Sequence, residues 1–253
     1  MNLWIWAADI VTPDIDAGVS AFPLNLLETL FGGGVEGATT TVELLLLLTV
    51  LTLVPSILIL MTSFTRIVIV LSFTRNAMGT QQMPPNQVVI GLALFLTYFT
   101  MYGTLSRIYD EAWQPYQEEV IELDEAWGNA VTPLREFMFE QIQRQSRTGE
   151  LTELETFMYL ARIEERPETL DDIPTYVLVP AFVTNEIKTA MRMGFLIFLP
   201  FIVIDMVVAS ALMSMGMMML PPAMISLPFK LMLFVLVNGW DMVIQGVVRS
   251  FSG

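Results

Sequence analysis

The chain has 253 residues, 54% of them hydrophobic, and a mean hydropathy of +0.61, which is too apolar for an ordinary soluble domain and points to a membrane protein. Its net charge is −14, from 12 Lys and Arg against 26 Asp and Glu, so it has no basic face to neutralise phosphates and nucleic acid is excluded as a partner. Histidine and cysteine are both absent, which removes His-dependent triads, Cys nucleophiles, His/Cys zinc sites and disulfides.

Residues 1–41 read as an N-terminal arm. Asp14, Asp16, Gly18, Pro23 and the run Gly32-Gly33-Gly34 favour irregular structure. Trp4, Trp6, Phe22 and Phe31 suit either a membrane–water interface or packing on a partner. Residues 1–10 are apolar but have no basic start and carry Asp9, so no signal peptide is expected there: the terminus is native or a signal has been removed.

Residues 42–73 form the first long apolar run, interrupted only by Pro55 and Arg66. A hydrocarbon core needs about 20 helical residues, so this run is predicted to tilt, to kink at Pro55, or to leave the bilayer. Arg66 and Arg75 follow its most apolar part, which places that end on the cytoplasmic side. A turn ends at Met83-Pro84-Pro85, and residues 88–105 run back outward.

Residues 107–172 change character to acidic and polar, with helical patterning over 133–142 and 150–163. They are predicted to form a small extramembranous helical domain whose acids solvate it. The third apolar run, 180–220, is divided by Pro200 and carries Asp205; the fourth, 225–248, carries Pro228, Lys230 and Asp241.

A short repeat links the two halves. Met78-Gly79 precedes Met83-Pro84-Pro85 at the spacing at which Met215-Gly216 precedes Leu220-Pro221-Pro222. The expected architecture is therefore all-α: two long helical hairpins of one orientation, separated by the acidic domain. The divisions are 1–41, 42–105, 106–179 and 180–253.

Two sets of residues carry functional expectations. Met213, Met215, Met217, Met218 and Met219 cluster around Gly216 and stop at two prolines. Five methionines in seven positions point all round a helix axis. Soft, unbranched thioethers at such a tip suit a reversible, water-excluding plug, with Gly216 supplying bend freedom. The second set is the ionisable residues inside apolar runs: Arg66, Glu186, Lys188, Arg192, Asp205, Lys230 and Asp241. Each costs roughly 2.5–3.5 kcal/mol at a bilayer centre, so they are expected to pair, with Glu186 and Lys230 the favoured couple. If both runs span fully, those two lie far apart in one subunit, and the contact is between subunits. No phosphate loop, nucleophile–base pair or metal-ligand helix is present, so no catalytic residues, metal or cofactor are expected.

The segments Met61-Thr62-Ser63-Phe64-Thr65-Arg66-Ile67, Arg75-Asn76-Ala77-Met78-Gly79-Thr80, Pro84-Pro85-Asn86-Gln87-Val88, Pro133-Leu134-Arg135-Glu136-Phe137-Met138, Pro180-Ala181-Phe182-Val183, Glu186-Ile187-Lys188-Thr189-Ala190, Gly216-Met217-Met218-Met219-Leu220-Pro221-Pro222 and Leu227-Pro228-Phe229-Lys230 with Gly239-Trp240 closely resemble the FliP family of flagellar type III export-gate proteins and its SctR-like injectisome homologues. The resemblance runs from about residue 42 to the C-terminus. Asn185 stands where serine is expected, Met191 where phenylalanine is, and Asn238 where aspartate is common.

The resemblance implies an export gate in the inner membrane at the flagellar basal body, with the acidic domain periplasmic. It implies a homo-oligomer, a pentamer, built with FliQ and FliR in contact with FlhB and surrounded by lipid. Unfolded flagellar substrates would pass through its pore, closed by the methionine gasket. It also implies that Glu186 and Lys230 bridge neighbouring subunits and that the ring seeds basal-body assembly. The rival expectations are a small-solute permease or channel, supported by Asp205 alone, and the matching injectisome subunit.

Overall fold

In the computed structural model, the described residues are 48–49, 52, 56, 59–80, 83–145, 153–163, 170, 172–217 and 220–252. The chain divides into two units, Met1–Val54 and Pro55–Gly253, and the helices named below belong to the second. The N-terminal arm lies outside the described residues.

Every described element is helical. Helix α1, Phe64–Ala77, buries Phe64, Ile67, Val70, Leu71 and Thr74, a stripe at helical spacing. It stops at Gly79, whose φ of +75° is open to glycine without strain. Helix α2, Asn86–Ile108, begins behind Pro85 and buries only Val89, Ala93, Leu96 and Met101. It continues through a π-turn, Tyr109–Trp113, into α3, Gln114–Gln117. The acidic region supplies α4, Leu123–Gln145, and α5, Glu153–Leu160.

Helix α6 spans Thr175–Ser214. The sequence predicts a break at Pro200; the helix instead runs unbroken through Pro180 and Pro200. A proline removes one hydrogen bond and strains one turn, and 40 residues of apolar helix outweigh that loss when neighbouring groups absorb it. At 1.5 Å per residue α6 is about 60 Å long, roughly twice a hydrocarbon core. The start at Thr175 also lies five residues inside the segment assigned to the acidic domain.

The fourth apolar run reads in sequence as one span. It forms two helices, α7 (Pro222–Leu236) and α8 (Gly239–Ser252), bent by 62°. The bend sits at Asn238, φ +50°, a conformation asparagine tolerates better than most residues. Gly239 follows because an added Cβ would lie 2.3 Å from the Phe234 ring. Among the described residues, the rod Asn86–Gln117 and α6 are each long and apolar enough to cross a membrane, and α7 with α8 make a third such span if counted together.

The core forms where α1 packs along α6, joined by α4, α5 and α8. Gly194 on α6 gives Phe73 of α1 its space, since a Cβ there would meet the ring at 2.6 Å. Burial along α6 is uneven. Its first half buries a stripe from Val177 to Gly194, whereas its second half buries only Phe201 and Leu212. Leu196, Met206 and Val207 are each more than 60% exposed. An apolar surface of that extent marks contact with lipid or another protein.

Candidate functional site

The methionine turn is built by the end of α6. Met215 donates its N–H to Ala211 O at 3.1 Å, Gly216 to Met213 O at 3.1 Å, and Met217 to Leu212 O at 3.0 Å. These bonds take up the last carbonyls of α6, and the reversal needs the φ of +74° at Gly216. Pro221 and Pro222 then open α7, where a missing N–H costs nothing. Met213, Met215 and Met217 project from this turn, 62%, 64% and 46% exposed. Met218 and Met219 lie outside the described residues. Met215 also lines an apolar groove of about 520 Å³ with Val207 and Ala211 of α6 and Ile225 and Phe229 of α7.

The first turn has the same backbone. Met78 donates to Thr74 O at 3.2 Å and Gly79 to Asn76 O at 3.1 Å, matching the bonds of Met215 and Gly216. Both glycines are left-handed, at +75° and +74°. The first turn packs on α7: a Cβ at Gly79 would sit 3.5 Å from Leu227 Cδ1 and 3.9 Å from Lys230 Nζ.

Two charge clusters tie the helices together. In the first, Lys230 Nζ donates to Asp205 Oδ2 at 2.6 Å, and Ser226 Oγ donates to Asp205 Oδ1 at 2.6 Å. Lys230 is buried, while Asp205 keeps an exposed flank. The cluster fastens α6 to α7 about two and a half turns before the methionines.

The second cluster is fully buried and centred on Arg66. Its Nε donates to Glu186 Oε2 at 2.9 Å, and its Nη2 to Glu186 Oε1 and, at 3.3 Å, to Gln141 Oε1. Its Nη1 donates to Ser250 O at 3.1 Å and Ser250 Oγ at 3.0 Å. All five N–H donors of the guanidinium are therefore used. Its face lies 3.9 Å over the Phe251 ring. One side chain thus ties α1 to α4, α6 and α8. Beside it, Asn185 donates to Gln141 O at 3.2 Å, and its own Oδ1 lacks a partner among the described residues.

Within one chain Glu186 and Lys230 do not meet, in keeping with the separation expected of them in one subunit. Glu186 is taken by Arg66 and Lys230 by Asp205, in separate clusters. Both acids lie on α6, 19 positions apart, about 28 Å along the axis, so each meets a different base. Arg192 lies exposed on α6, Asp241 holds Gln245 Nε2 at 2.9 Å, and Lys188 bridges to Glu153 of α5 at 2.9 Å. Sequence reasoning missed Gln141, Ser226 and Ser250. The only available signal for Gln141 was a polar residue inside the apolar stripe of the 133–142 pattern.

Glycine turns, paired prolines and buried charges in this order coincide with a known family. The model of the FliP family matches residues 47–247. This chain belongs to the FliP family. The flagellar biosynthetic protein FliP of Bacillus subtilis (strain 168) is 56% identical over 216 residues, covering 85% of this chain and 94% of that protein. The FliP of Borreliella burgdorferi is 51% identical over 219 residues, with 87% and 84% covered. That of Caulobacter vibrioides is 47% identical over 242 residues, with 96% and 86% covered. The matched span includes both glycine turns and both charge clusters except Ser250 and Phe251. FliP membership and the two long apolar helices make this chain a membrane component of the flagellar export apparatus.

Proposed function

We propose that several copies of this chain, a pentamer, line the pore of the flagellar export gate, and that Met213, Met215, Met217, Met218 and Met219 with Gly216 form the gasket that closes it. The observation that carries this reading is the methionine turn itself. Three thioether side chains stand exposed on a hydrogen-bonded turn, uncovered by the described residues. Such side chains make many weak contacts and no specific hydrogen bonds, so they seal against solutes yet yield to polypeptide of any sequence. A dry constriction of this kind gates by dewetting.

The exposed second half of α6 supplies the apolar face for neighbouring copies and for FliQ and FliR, with FlhB in contact. The gate sits in the inner membrane with the acidic domain periplasmic. It passes unfolded flagellar substrates, and its ring nucleates the basal body. A Glu186–Lys230 bridge between subunits belongs to this reading only if Lys230 releases Asp205 and the Arg66 cluster opens. Rescue of Lys230→Glu assembly by Glu186→Lys, and not by Asp205→Lys, supports that exchange; the reverse pattern rejects it.

The chain contains no cysteine, which makes the gasket directly testable. Met215→Cys, introduced alone and oxidised in membranes, is expected to join copies of the chain in pairs, because a disulfide needs Cα atoms within about 7 Å. A cysteine that oxidises readily yet joins no second copy rejects the gasket.

A further inference from the structure

A second groove lies between α2 and α8, apart from the methionine turn. Phe95, Leu96 and Phe99 of α2 face Ile244 and Val248 of α8 across about 330 Å³, and Gln245 and Arg249 stand at its edge. Leu96 is buried, while Phe95 and Phe99 are exposed and wall the groove.

Arg249 has no ion pair or hydrogen bond from its guanidinium among the described residues. That sets it apart from Arg66, Arg107, Arg135 and Arg144, all of which donate to oxygen partners. In a chain of net charge −14, exposed Arg162 after α5 is the other described arginine in that state. The nearest acid on its own stripe is Asp241, two turns and about 12 Å away along the axis and already holding Gln245.

Arg249 also lies at a boundary. Just beyond it, the carbonyl of Phe251 accepts from Arg144 Nη1 at 2.5 Å. Arg144 pairs with Glu140 at 3.7 Å on the polar end of α4. The end of α8 therefore meets a polar surface, and the groove leads away from it between exposed apolar rings. A charged lip over an apolar trough matches an amphiphile with an anionic head.

We propose that this groove binds an anionic phospholipid, with its phosphate on Arg249 and one acyl chain against Phe95, Phe99, Ile244 and Val248. The contact fixes α8 against α2 at the polar boundary.

The test is native mass spectrometry of the full chain, purified in mild detergent with the partners that accompany it, after exposure to phosphatidylglycerol or phosphatidylcholine with the same acyl chains. The wild type is expected to retain phosphatidylglycerol preferentially. Arg249→Gln is expected to weaken that retention about tenfold, the worth of one charge-assisted contact, and to leave phosphatidylcholine unchanged. Arg249→Lys is expected to keep most of the preference, and Val248→Trp, which fills the trough, to lower retention of both lipids. Equal retention of the two lipids by wild type overturns the proposal, and this arm needs no variant to fold. Retention of phosphatidylglycerol that survives Arg249→Gln also overturns it. So does displacement of the lipid by inorganic phosphate alone, or a photo-crosslinker at Phe99 that captures protein instead of lipid.

Discussion

At position 66 a guanidinium is held on every side. A buried arginine with five satisfied donors and a carboxylate partner is costly to break, because removing one member leaves the other charge unpaired. Glu186→Gln is expected to lower stability by about 3–5 kcal/mol in thermal unfolding in detergent. Replacing both Arg66 and Glu186 by Met is expected to recover much of that loss. A double variant as unstable as the sum of the single ones contradicts the coupling. Glycine offers a cleaner contrast. Gly239→Ala drives a Cβ into the Phe234 ring, whereas Gly246→Ala meets nothing within 4 Å. The first is expected to cost about 1–3 kcal/mol and the second to be neutral or slightly stabilising. Similar melting temperatures for the two would refute the Phe234 contact. The sequence showed that Arg66, Glu186, Asp205 and Lys230 needed partners, since each lay inside an apolar run. It could not show which acid meets which base. Arg66 and Glu186 are 120 residues apart, and only the packing of α1 on α6 brings them together.

At the scale of elements, the repeat of Met-Gly and Pro-Pro was legible because a left-handed glycine and a helix-opening proline are local requirements. The matching bonds at Gly79 and Gly216 follow from that chemistry. Long-range balances were less legible. Pro200 marks a local weakness, yet α6 carries it inside a helix stabilised over its whole length. The 62° bend between α7 and α8 sat in an apolar run with only Asn238-Gly239 to announce it. If Asn238 serves as a left-handed hinge, Asn238→Gly is expected to be tolerated and Asn238→Val to cost about 1–2 kcal/mol. Circular dichroism melts of the two variants check this, and equal stability contradicts the hinge. Asp205 and Lys230 fasten α6 to α7, so Lys230→Glu is expected to loosen the methionine turn to limited proteolysis. Unchanged protease resistance speaks against that fastening.

For the molecule as a whole, composition points to a membrane protein, and the motifs from residue 61 onward point to the FliP family. The distribution of burial was not readable. The described residues cover the first half of α6, which carries Glu186, Lys188 and Arg192, and leave bare the second half, which is the more apolar of the two. That asymmetry follows from where α1, α4 and α5 end. It leaves the apolar half of α6 and the methionine turn on the same exposed end of the helix, which is why the gate reading concentrates there.

The most direct measurement of that reading is the ionic conductance of membranes carrying the assembled complex, wild type against a deletion of Met217, Met218 and Met219. The account predicts that the deletion still assembles but conducts ions that the wild type holds back. An assembled deletion complex as tight as wild type would contradict it.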